Sequence, residues 1–184
     1  YYNGKISTIE EMMIPANDRV NYFGDGVYDA TMVLNGKIFS EKEHIDRFFN
    51  SCHLLRIKPY YTKDELSSLL RQAVASMDTG DCFLYWQATR GTAPRSHAFC
   101  DGKSNLYITC SPQPMKSMEL RYKLITVEDI RYHYCNIKTL NLIPNVLATQ
   151  RAVEAGCDEV VFHRGDTVTE CAHSNVSMLK DGAL

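Results

Sequence analysis

The sequence lacks the features that mark several specialised classes of protein. No apolar stretch approaches the roughly 18 residues of a membrane-spanning helix, so we expect no membrane span. No basic run is present, and a formal net charge of −2 argues against a nucleic-acid partner, which usually needs a concentrated basic face. The first residues are polar and strand-like, which predicts no signal peptide. Glycine-rich nucleotide loops, the G-x-S-x-G hydrolase motif and zinc-protease motifs are absent as well.

Cysteine is present, but not in a pattern that predicts disulfides or metal binding. The seven cysteines are odd in number, scattered and without a C-x-x-C pair. Several lie inside apolar patterns, which indicates buried or half-buried thiols in a reducing cytosol. The six histidines show no paired metal-binding spacing. We therefore expect a cytoplasmic protein with no metal site.

Local sequence signals predict a mixture of hairpins, helices and strands. The 184 residues are 45% hydrophobic and 23% charged, which is typical of a globular protein that can bury a core. Asn-Gly pairs at residues 3–4 and 35–36 lie between apolar runs and predict type I′ hairpin turns. The patterns Ser-x-x-Glu at 40–43 and Thr-x-x-Glu at 62–65 predict capping boxes for two amphipathic helices. Aromatic and β-branched runs follow and predict strands.

The segment SPQPMKSMEL predicts a boundary between two domains, because it contains two prolines among polar neighbours. We expect a small α+β domain over residues 1–112, an interdomain linker over residues 113–120, and the first part of a larger domain over residues 121–184. The chain stops at a turn where a returning strand is expected, so the second domain is predicted to be incomplete at residue 184.

In the second domain we expect a strand that ends at Lys138, and then a helix with Asn141 as its N-cap and Gly156 as its C′ residue. A hairpin carrying Glu170 is expected next, and a final strand that leads to a turn at residues 181–182. The apolar face of the helix is predicted to consist of Val146, Leu147, Ala152 and Val153.

Four groups of side chains could carry chemistry, and each also has a plain structural interpretation. Lys138 is either a surface lysine or a partly desolvated amine that forms a Schiff base. Glu170 is either a solvated strand residue or a carboxylate that keeps a heterocyclic nitrogen protonated. Arg95 and His97 lie in a surface loop or form a carboxylate receptor. Arg47 is either solvated or a phosphate ligand.

Taken together, these residues resemble the fold-type IV pyridoxal-phosphate enzymes, and within them the D-amino-acid aminotransferases. The matching segments cover essentially the whole chain in the family's order. The lysine segment and the Glu170 hairpin are typical of the whole superfamily, whereas the loop R-G-T-x-P-R-x-H favours the D-amino-acid branch. The resemblance implies a two-domain fold of mixed α+β and α/β type. The segments are FGDGVYDA, HIDRFF, TRGTAPRSHAF, DIRYHYCNIKTLNLIPNVLATQ, GCDEVVFHRGDTVTE and SNVSMLKDG.

The resemblance also implies roles for individual residues. Lys138 forms a Schiff base with pyridoxal 5′-phosphate and carries protons, while Glu170 pairs with the pyridine nitrogen. Part of the trap for the substrate carboxylate comes from the neighbouring subunit in this family, which implies a homodimer. Further contacts to the cofactor are expected from Arg47, Ser174, Asn175 and Arg131. The trap itself is expected to consist of Tyr28, Arg95 and His97.

The expected reaction is the ping-pong transamination of D-amino acids such as D-alanine with a 2-oxo acid such as 2-oxoglutarate. Two alternatives share the fold: an aminodeoxychorismate lyase, and a branched-chain L-amino-acid aminotransferase that has no need of the Arg95 and His97 receptor. An alternative from another class is a non-catalytic, cofactor-free homologue or fragment. The sequence departs from the family at residues 171–173, where Cys-Ala-His replaces a glycine and serines.

Overall fold

The structure, a computed structural model, describes all residues from 1 to 184 and divides the chain into two compact units. The first unit comprises Tyr1–Met115 and Cys135–Leu140, and the second comprises Lys116–Tyr134 and Asn141–Leu184. The segment that carries Lys138 therefore belongs to the first unit. No helix in either unit has both the length and the apolar character that crossing a membrane requires.

The first unit contains one antiparallel sheet, whose strands lie in the order β2 (Lys37–Ile38), β1 (Gly26–Leu34), β3 (Cys82–Thr89) and β4 (Asn105–Pro112). The Asn-Gly turn at residues 35–36 joins β1 to β2, and both residues have positive φ, as a type I′ turn requires. This hairpin prediction is therefore confirmed. The elements of the first unit are α1 (Arg19–Phe23), β1 (Gly26–Leu34), β2 (Lys37–Ile38), α2 (Glu41–Leu54), α3 (Lys63–Ala75), β3 (Cys82–Thr89) and β4 (Asn105–Pro112).

The two longer helices of the first unit pack on one face of the sheet. Odd-numbered residues of β1 from Val27 to Val33 are buried, whereas even-numbered residues such as Tyr28 are half-buried. The period of two arises because successive side chains of a strand point to opposite faces. The largest fully buried side chains include Trp86 of β3 and Phe48 of α2. Tyr28 thus lies on the sheet face opposite the core.

The two predicted capping boxes have different outcomes. At α3, the Thr62 hydroxyl accepts from the Glu65 backbone N–H and the Glu65 carboxylate accepts from the Thr62 backbone N–H, so this box is confirmed. At α2, Ser40 is the N-cap residue but its side chain makes no capping hydrogen bond, so that box is wrong. The difference is conformational, because Thr62 is extended whereas Ser40 has φ 45° and lies in the left-handed region.

The second unit contains a three-stranded sheet in the order β5 (Leu124–Glu128), β6 (Glu159–Arg164) and β7 (Thr167–Cys171). Strands β5 and β6 are parallel, and β6 and β7 are antiparallel. Parallel strands need a long crossover connection, and here the connection contains a helix. The Ala148 and Ala152 side chains of this helix pack with Val160 and Phe162 of the sheet. The elements are β5 (Leu124–Glu128), α4 (Ile143–Glu154), β6 (Glu159–Arg164) and β7 (Thr167–Cys171).

Several local predictions for the second unit are wrong. The N-cap of α4 is Leu142 rather than Asn141. Ala152 is buried as expected, but the larger apolar residues of the predicted face, Val146, Leu147 and Val153, are exposed. The small side chains face the sheet instead and allow the helix to approach it closely. No strand forms over residues 174–179, although the turn at residues 181–182 does form.

Candidate active site

Lys138 does not lie at the end of a strand, as the sequence predicts, but in a segment without helix or strand. This segment is held against the start of β1. The Tyr28 N–H donates to the Lys138 carbonyl at 2.9 Å, and the Leu140 N–H donates to the Gly26 carbonyl at 3.1 Å. Thr139 forms a single β-bridge with Val27. The backbone of the lysine is therefore fixed by a long-range contact.

The amine of Lys138 faces an aromatic ring and has no acidic partner. Its Nζ donates to the Tyr28 hydroxyl at 3.2 Å and lies 4.4 Å from the centre of the Tyr28 ring. The Lys138 N–H donates to the Ser51 hydroxyl of α2 at 3.3 Å. The residue is half-buried and forms no ion pair. An amine in this position is available to an electrophile, because no carboxylate competes for it.

Tyr28 is supported from below by a second tyrosine. The Tyr28 and Tyr85 rings stack with their centroids 5.6 Å apart. The Tyr85 hydroxyl donates to the Gln87 side-chain oxygen at 2.8 Å. Burial raises the pKa of Tyr85, and the neighbouring phenol of Tyr28 raises it further, so this hydroxyl stays protonated. The stack keeps the Tyr28 ring in place beneath the lysine amine.

Arg47 lies on the outer side of α2 and is held by Asp29, a buried acid of β1 that sequence reasoning missed. The Asp29 carboxylate accepts from Arg47 Nε at 2.8 Å and Nη2 at 2.7 Å, and contacts His44 Nδ1 at 2.8 Å. Burial alone raises the pKa of Asp29, but the hydrogen bonds from Arg47 and His44 outweigh it and hold the pKa below its ordinary range. The signal in the sequence was an acid at a core-facing position of an apolar strand.

Arg95 and His97 meet on one aromatic ring. The guanidinium carbon of Arg95 lies 5.3 Å from the centre of the Phe23 ring, and the His97 and Phe23 ring centroids are 5.0 Å apart. Both polar side chains are exposed. No hydrogen bond joins either of them to Tyr28, whose hydroxyl accepts from Lys138. The structure therefore brings together two members of the predicted carboxylate trap and leaves the third separate.

In the second unit, Glu170 of β7 forms an ion pair with Arg131. The Arg131 side chain is only 8% exposed, and Asp129 accepts from its Nε at 2.9 Å and its Nη2 at 3.0 Å. The guanidinium carbon also lies 4.6 Å from the centre of the Phe162 ring. The Glu170 side chain is 51% exposed, so one side of the carboxylate is held and the other is accessible.

Asp129 organises this group, and only its place two residues before Arg131 indicates it in the sequence. Its carboxylate accepts from the Thr169 hydroxyl at 2.9 Å and pairs with Arg164 Nη2 at 3.3 Å. Burial raises the pKa of Asp129, but the hydrogen bonds from Arg131 and Thr169 lower it by more, so the pKa lies well below its ordinary range. Asp129 is therefore ionised at all physiological pH values.

The segment after β7 is tied to a buried acid at the start of β6. The Ser174 hydroxyl donates to the Glu159 carboxylate at 2.6 Å, and His173 Nδ1 lies 3.0 Å from the same carboxylate oxygen. Asn175 is exposed. The hydroxyl of Ser174 is thus already engaged within the protein, whereas the Asn175 amide faces solvent.

Comparison with known proteins gives a consistent result. The family model described as Amino-transferase class IV matches residues 26–184. The D-alanine aminotransferase of Staphylococcus epidermidis is 38% identical over an alignment 188 residues long, which covers 100% of this chain and 67% of that protein. These matches confirm the resemblance on which the sequence analysis relied.

Solved structures confirm the predicted fold. A fold IV transaminase from Curtobacterium pusillum has a TM-score of 0.81 at 22% identity, and the match covers 96% of this chain and 64% of that one. The PLP-bound form of a hypothetical aminotransferase from Mycobacterium tuberculosis has a TM-score of 0.76 at 21% identity, covering 93% and 63% respectively. The chain therefore spans about two thirds of the length of the proteins it matches.

Proposed function

The chain belongs to the class IV aminotransferase family, and from this premise we propose that the complete protein is a pyridoxal-phosphate-dependent aminotransferase of D-amino acids. The donor would be an amino acid such as D-alanine and the acceptor a 2-oxo acid such as 2-oxoglutarate, in a ping-pong reaction. The observation that carries the proposal is the half-buried amine of Lys138, which lies over the Tyr28 ring without an acidic partner. The name of the Staphylococcus relative supports the choice of D-amino acids.

The side chains present fit pyridoxal 5′-phosphate in their chemistry. Lys138 supplies an amine for the aldehyde, Arg47 a half-exposed cation for the phosphate, and Glu170 a half-exposed carboxylate for the pyridine nitrogen. We propose Ser174 and Asn175 as further contacts, with Ser174 oriented by Glu159. When bound, the cofactor supplies the electron sink that stabilises negative charge at the substrate α-carbon.

The residues of the first unit would bind the substrate and move its proton. We propose that Arg95 and His97 bind the α-carboxylate, since a guanidinium and an imidazole can both donate to it. Tyr28 is the third proposed member of this receptor. Lys138 Nζ would carry the proton between the substrate α-carbon and the C4′ carbon of the cofactor. Binding the carboxylate on one side decides which α-hydrogen faces the amine, so the receptor sets the stereochemistry.

In the second unit, Glu170 is proposed to keep the pyridine nitrogen protonated. Arg131 would act through Glu170 rather than on the cofactor directly, because its guanidinium is occupied by Asp129 and Glu170. Arg131 is therefore proposed as a positioning residue. The ion pair limits the rotamers of the Glu170 side chain while leaving it half-exposed.

A spectroscopic experiment tests the role of Lys138. The complete protein is incubated with pyridoxal 5′-phosphate, dialysed, and examined for the visible absorbance band that a lysine-bound cofactor gives. We expect the band in the wild type and in the control variant Lys37→Ala, which changes an exposed lysine of the same unit. We expect Lys138→Ala to lack it. A band that persists in Lys138→Ala, or that is missing in the wild type, would contradict the proposal.

The choice of reaction is tested by comparing substrates. With 2-oxoglutarate as acceptor, we expect consumption of D-alanine and little consumption of L-alanine. Preferential use of branched-chain L-amino acids would favour a branched-chain aminotransferase, and pyruvate release from aminodeoxychorismate would favour a lyase. A protein that binds no cofactor at all would be the non-catalytic homologue.

We further propose a cytoplasmic homodimer. The family resemblance supports the dimer, because it assigns part of the carboxylate receptor to the neighbouring subunit. All seven cysteines are free thiols in the structure, which is consistent with a reducing compartment. Analytical ultracentrifugation of the complete protein tests the dimer, and a monomer at micromolar concentration would contradict it.

A further inference from the structure

The loop over residues 91–100, here called the carboxylate loop, carries Arg95 and His97 but contains no helix or strand. Its one sheet-like contact is a single bridge between Thr92 and Asp18. A receptor that discriminates between substrates needs fixed donor positions, because a small misplacement of a binding group costs much of its effect. The side chains that fix this loop must therefore come from elsewhere in the first unit.

Arg19, at the start of α1, holds the backbone of the loop. Its side chain is only 4% exposed. Its Nη1 donates to the Ser96 carbonyl at 2.6 Å and to the Ala98 carbonyl at 3.1 Å. These two carbonyls lie on either side of His97. The Arg19 guanidinium thus fixes the backbone of His97.

Arg19 is itself held by Asp25, which joins it to a second buried arginine. The Asp25 carboxylate accepts from Arg19 Nε at 2.8 Å and from Arg90 Nε at 2.9 Å. The other Arg90 nitrogens donate to the Leu55 and Arg56 carbonyls beyond α2, at 2.9 and 3.1 Å. Two buried cations share one carboxylate, so both depend on carbonyl acceptors for the rest of their hydrogen bonding. Arg90, Asp25 and Arg19 therefore connect the carboxylate loop to the segment that follows α2.

Phe23, at the end of α1, contacts the functional side chains themselves. Its ring lies 5.3 Å from the Arg95 guanidinium carbon and 5.0 Å from the His97 ring centroid. The Arg19 guanidinium carbon lies 4.9 Å from the same ring. A ring face attracts cations, and Arg95 is permanently charged. Phe23 therefore favours one arrangement of both receptor side chains.

We propose that α1 positions the carboxylate receptor, with Arg19 fixing the backbone around His97 and Phe23 fixing the side chains of Arg95 and His97. Both act on the loop rather than on the substrate, so they are positioning residues. The role in substrate binding rests on the proposed function, whereas the ordering of the loop does not. Two measurements test the role in substrate binding and the ordering of the loop separately.

The first measurement is the kinetics of D-alanine with the complete, cofactor-loaded protein. We expect Phe23→Leu to raise KM about two- to fivefold, the factor to which loss of an exposed cation–π contact corresponds. The kcat and the cofactor absorbance should stay nearly unchanged. Phe23→Tyr keeps the ring and should restore KM. The matched control is Tyr22→Leu, which removes the neighbouring ring of the same helix. The only ring contact of Tyr22 is an edge-on one with Phe23, at a centroid distance of 5.9 Å.

The second measurement, limited trypsin cleavage after Arg95, needs no activity. Cleavage requires the loop to open, so we expect it to be about two- to fivefold faster in Phe23→Leu, also faster in Arg19→Lys, and unchanged in Tyr22→Leu. If Phe23→Leu matches Tyr22→Leu in cleavage rate, α1 does not order the loop and the proposal is overturned. If cleavage rises but the wild type does not use D-alanine, the ordering stands and the proposed substrate fails.

Discussion

Replacing Asp29 by asparagine tests whether one buried carboxylate holds Arg47 in place. The substitution keeps the shape of the side chain and removes its charge. The Asp29 side chain is 0% exposed, and its oxygens accept two hydrogen bonds from Arg47, at 2.7 and 2.8 Å, and contact His44 at 2.8 Å. In asparagine an NH2 group replaces one of these oxygens, so a donor then faces a donor and at least one bond from Arg47 is lost.

The expected cost of Asp29→Asn follows from the exposure of the two partners. Removing one member of a fully buried ion pair costs about 3–5 kcal/mol, because the other charge is left without a partner. Arg47 is 49% exposed, however, and water can hydrate the guanidinium that loses its partner. A hydrogen bond to a charged group contributes about 1.5–3 kcal/mol. We therefore expect the free energy of unfolding to fall by about 2 kcal/mol.

The pH dependence of the free energy of unfolding provides a second test of the role of Asp29. Burial raises the pKa of Asp29, but the bonds from Arg47 and His44 hold it below its ordinary value of 3.8. The folded protein therefore binds this proton less tightly than the unfolded chain. The stabilisation is complete above pH 3.8 and is lost as the pH falls through the pKa of the folded state. The difference in the free energy of unfolding between wild type and Asp29→Asn should therefore become smaller as the pH falls below 3.8.

Urea denaturation of the complete protein, followed by far-UV circular dichroism, measures both effects. The control is Asp46→Asn, which removes an exposed carboxylate of α2 that pairs with Lys42 and Lys63. Exposed pairs contribute little, so we expect its denaturation midpoint to match the wild type. Equal midpoints for Asp29→Asn and wild type at pH 7 would show that the buried carboxylate does not stabilise the fold.

Three further predictions concern other parts of the chain. Thr62→Ala should lower the free energy of unfolding by about 1 kcal/mol, while Ser40→Ala leaves it unchanged, because only Thr62 caps its helix; equal denaturation midpoints would contradict this. Gly91→Ala should lower the melting temperature measured by calorimetry, because φ is +120° and the added Cβ would lie 2.3 Å from the Lys103 carbonyl oxygen; an unchanged value would be inconsistent with that contact. Glu170→Gln should retain the cofactor absorbance but slow turnover of D-alanine, and an unchanged rate would show that another group protonates the ring nitrogen.

The elements of the first unit could be predicted from sequence where the signal was local. The Thr62 box and the Asn-Gly turn at residues 35–36 both depend on a few neighbouring residues. Ser40 has the same spacing to a glutamate, but it follows directly after the β1–β2 hairpin and has φ 45°, which a spacing rule does not detect. Local patterns therefore fail where a neighbouring element decides the backbone conformation.

Predictions that required long-range information were less accurate. Periodicity assigned Val146, Leu147 and Val153 to the buried face of α4, whereas the sheet contacts Ala148 and Ala152. Which apolar stripe is buried depends on what the helix packs against, and a single-helix pattern does not contain that information.

The candidate site shows the same limit. Lys138 and Glu170 were candidates from the sequence itself, and the family resemblance assigned them roles. The groups that orient neighbouring residues, Asp29, Asp129 and Asp25, came only from the structure. Each acid has at least one partner that is distant in sequence: Arg47 for Asp29, Arg90 for Asp25 and Thr169 for Asp129. An isolated aspartate carries no sign of such partners.

The pairing of the Lys138 segment with β1 has a consequence for how the protein is made. The lysine amine and the Tyr28 hydroxyl are separated by 110 residues, and the backbone bonds at Gly26 and Tyr28 join the same distant parts of the chain. During synthesis, residues 1–115 leave the ribosome well before residues 135–140. The start of β1 therefore cannot complete its backbone hydrogen bonds until the Lys138 segment has left the ribosome, and its free backbone groups bind water until then. A nascent chain arrested before residue 135 should consequently show faster amide hydrogen exchange at Tyr28 than one extended far enough past residue 140 for residues 138–140 to leave the ribosome.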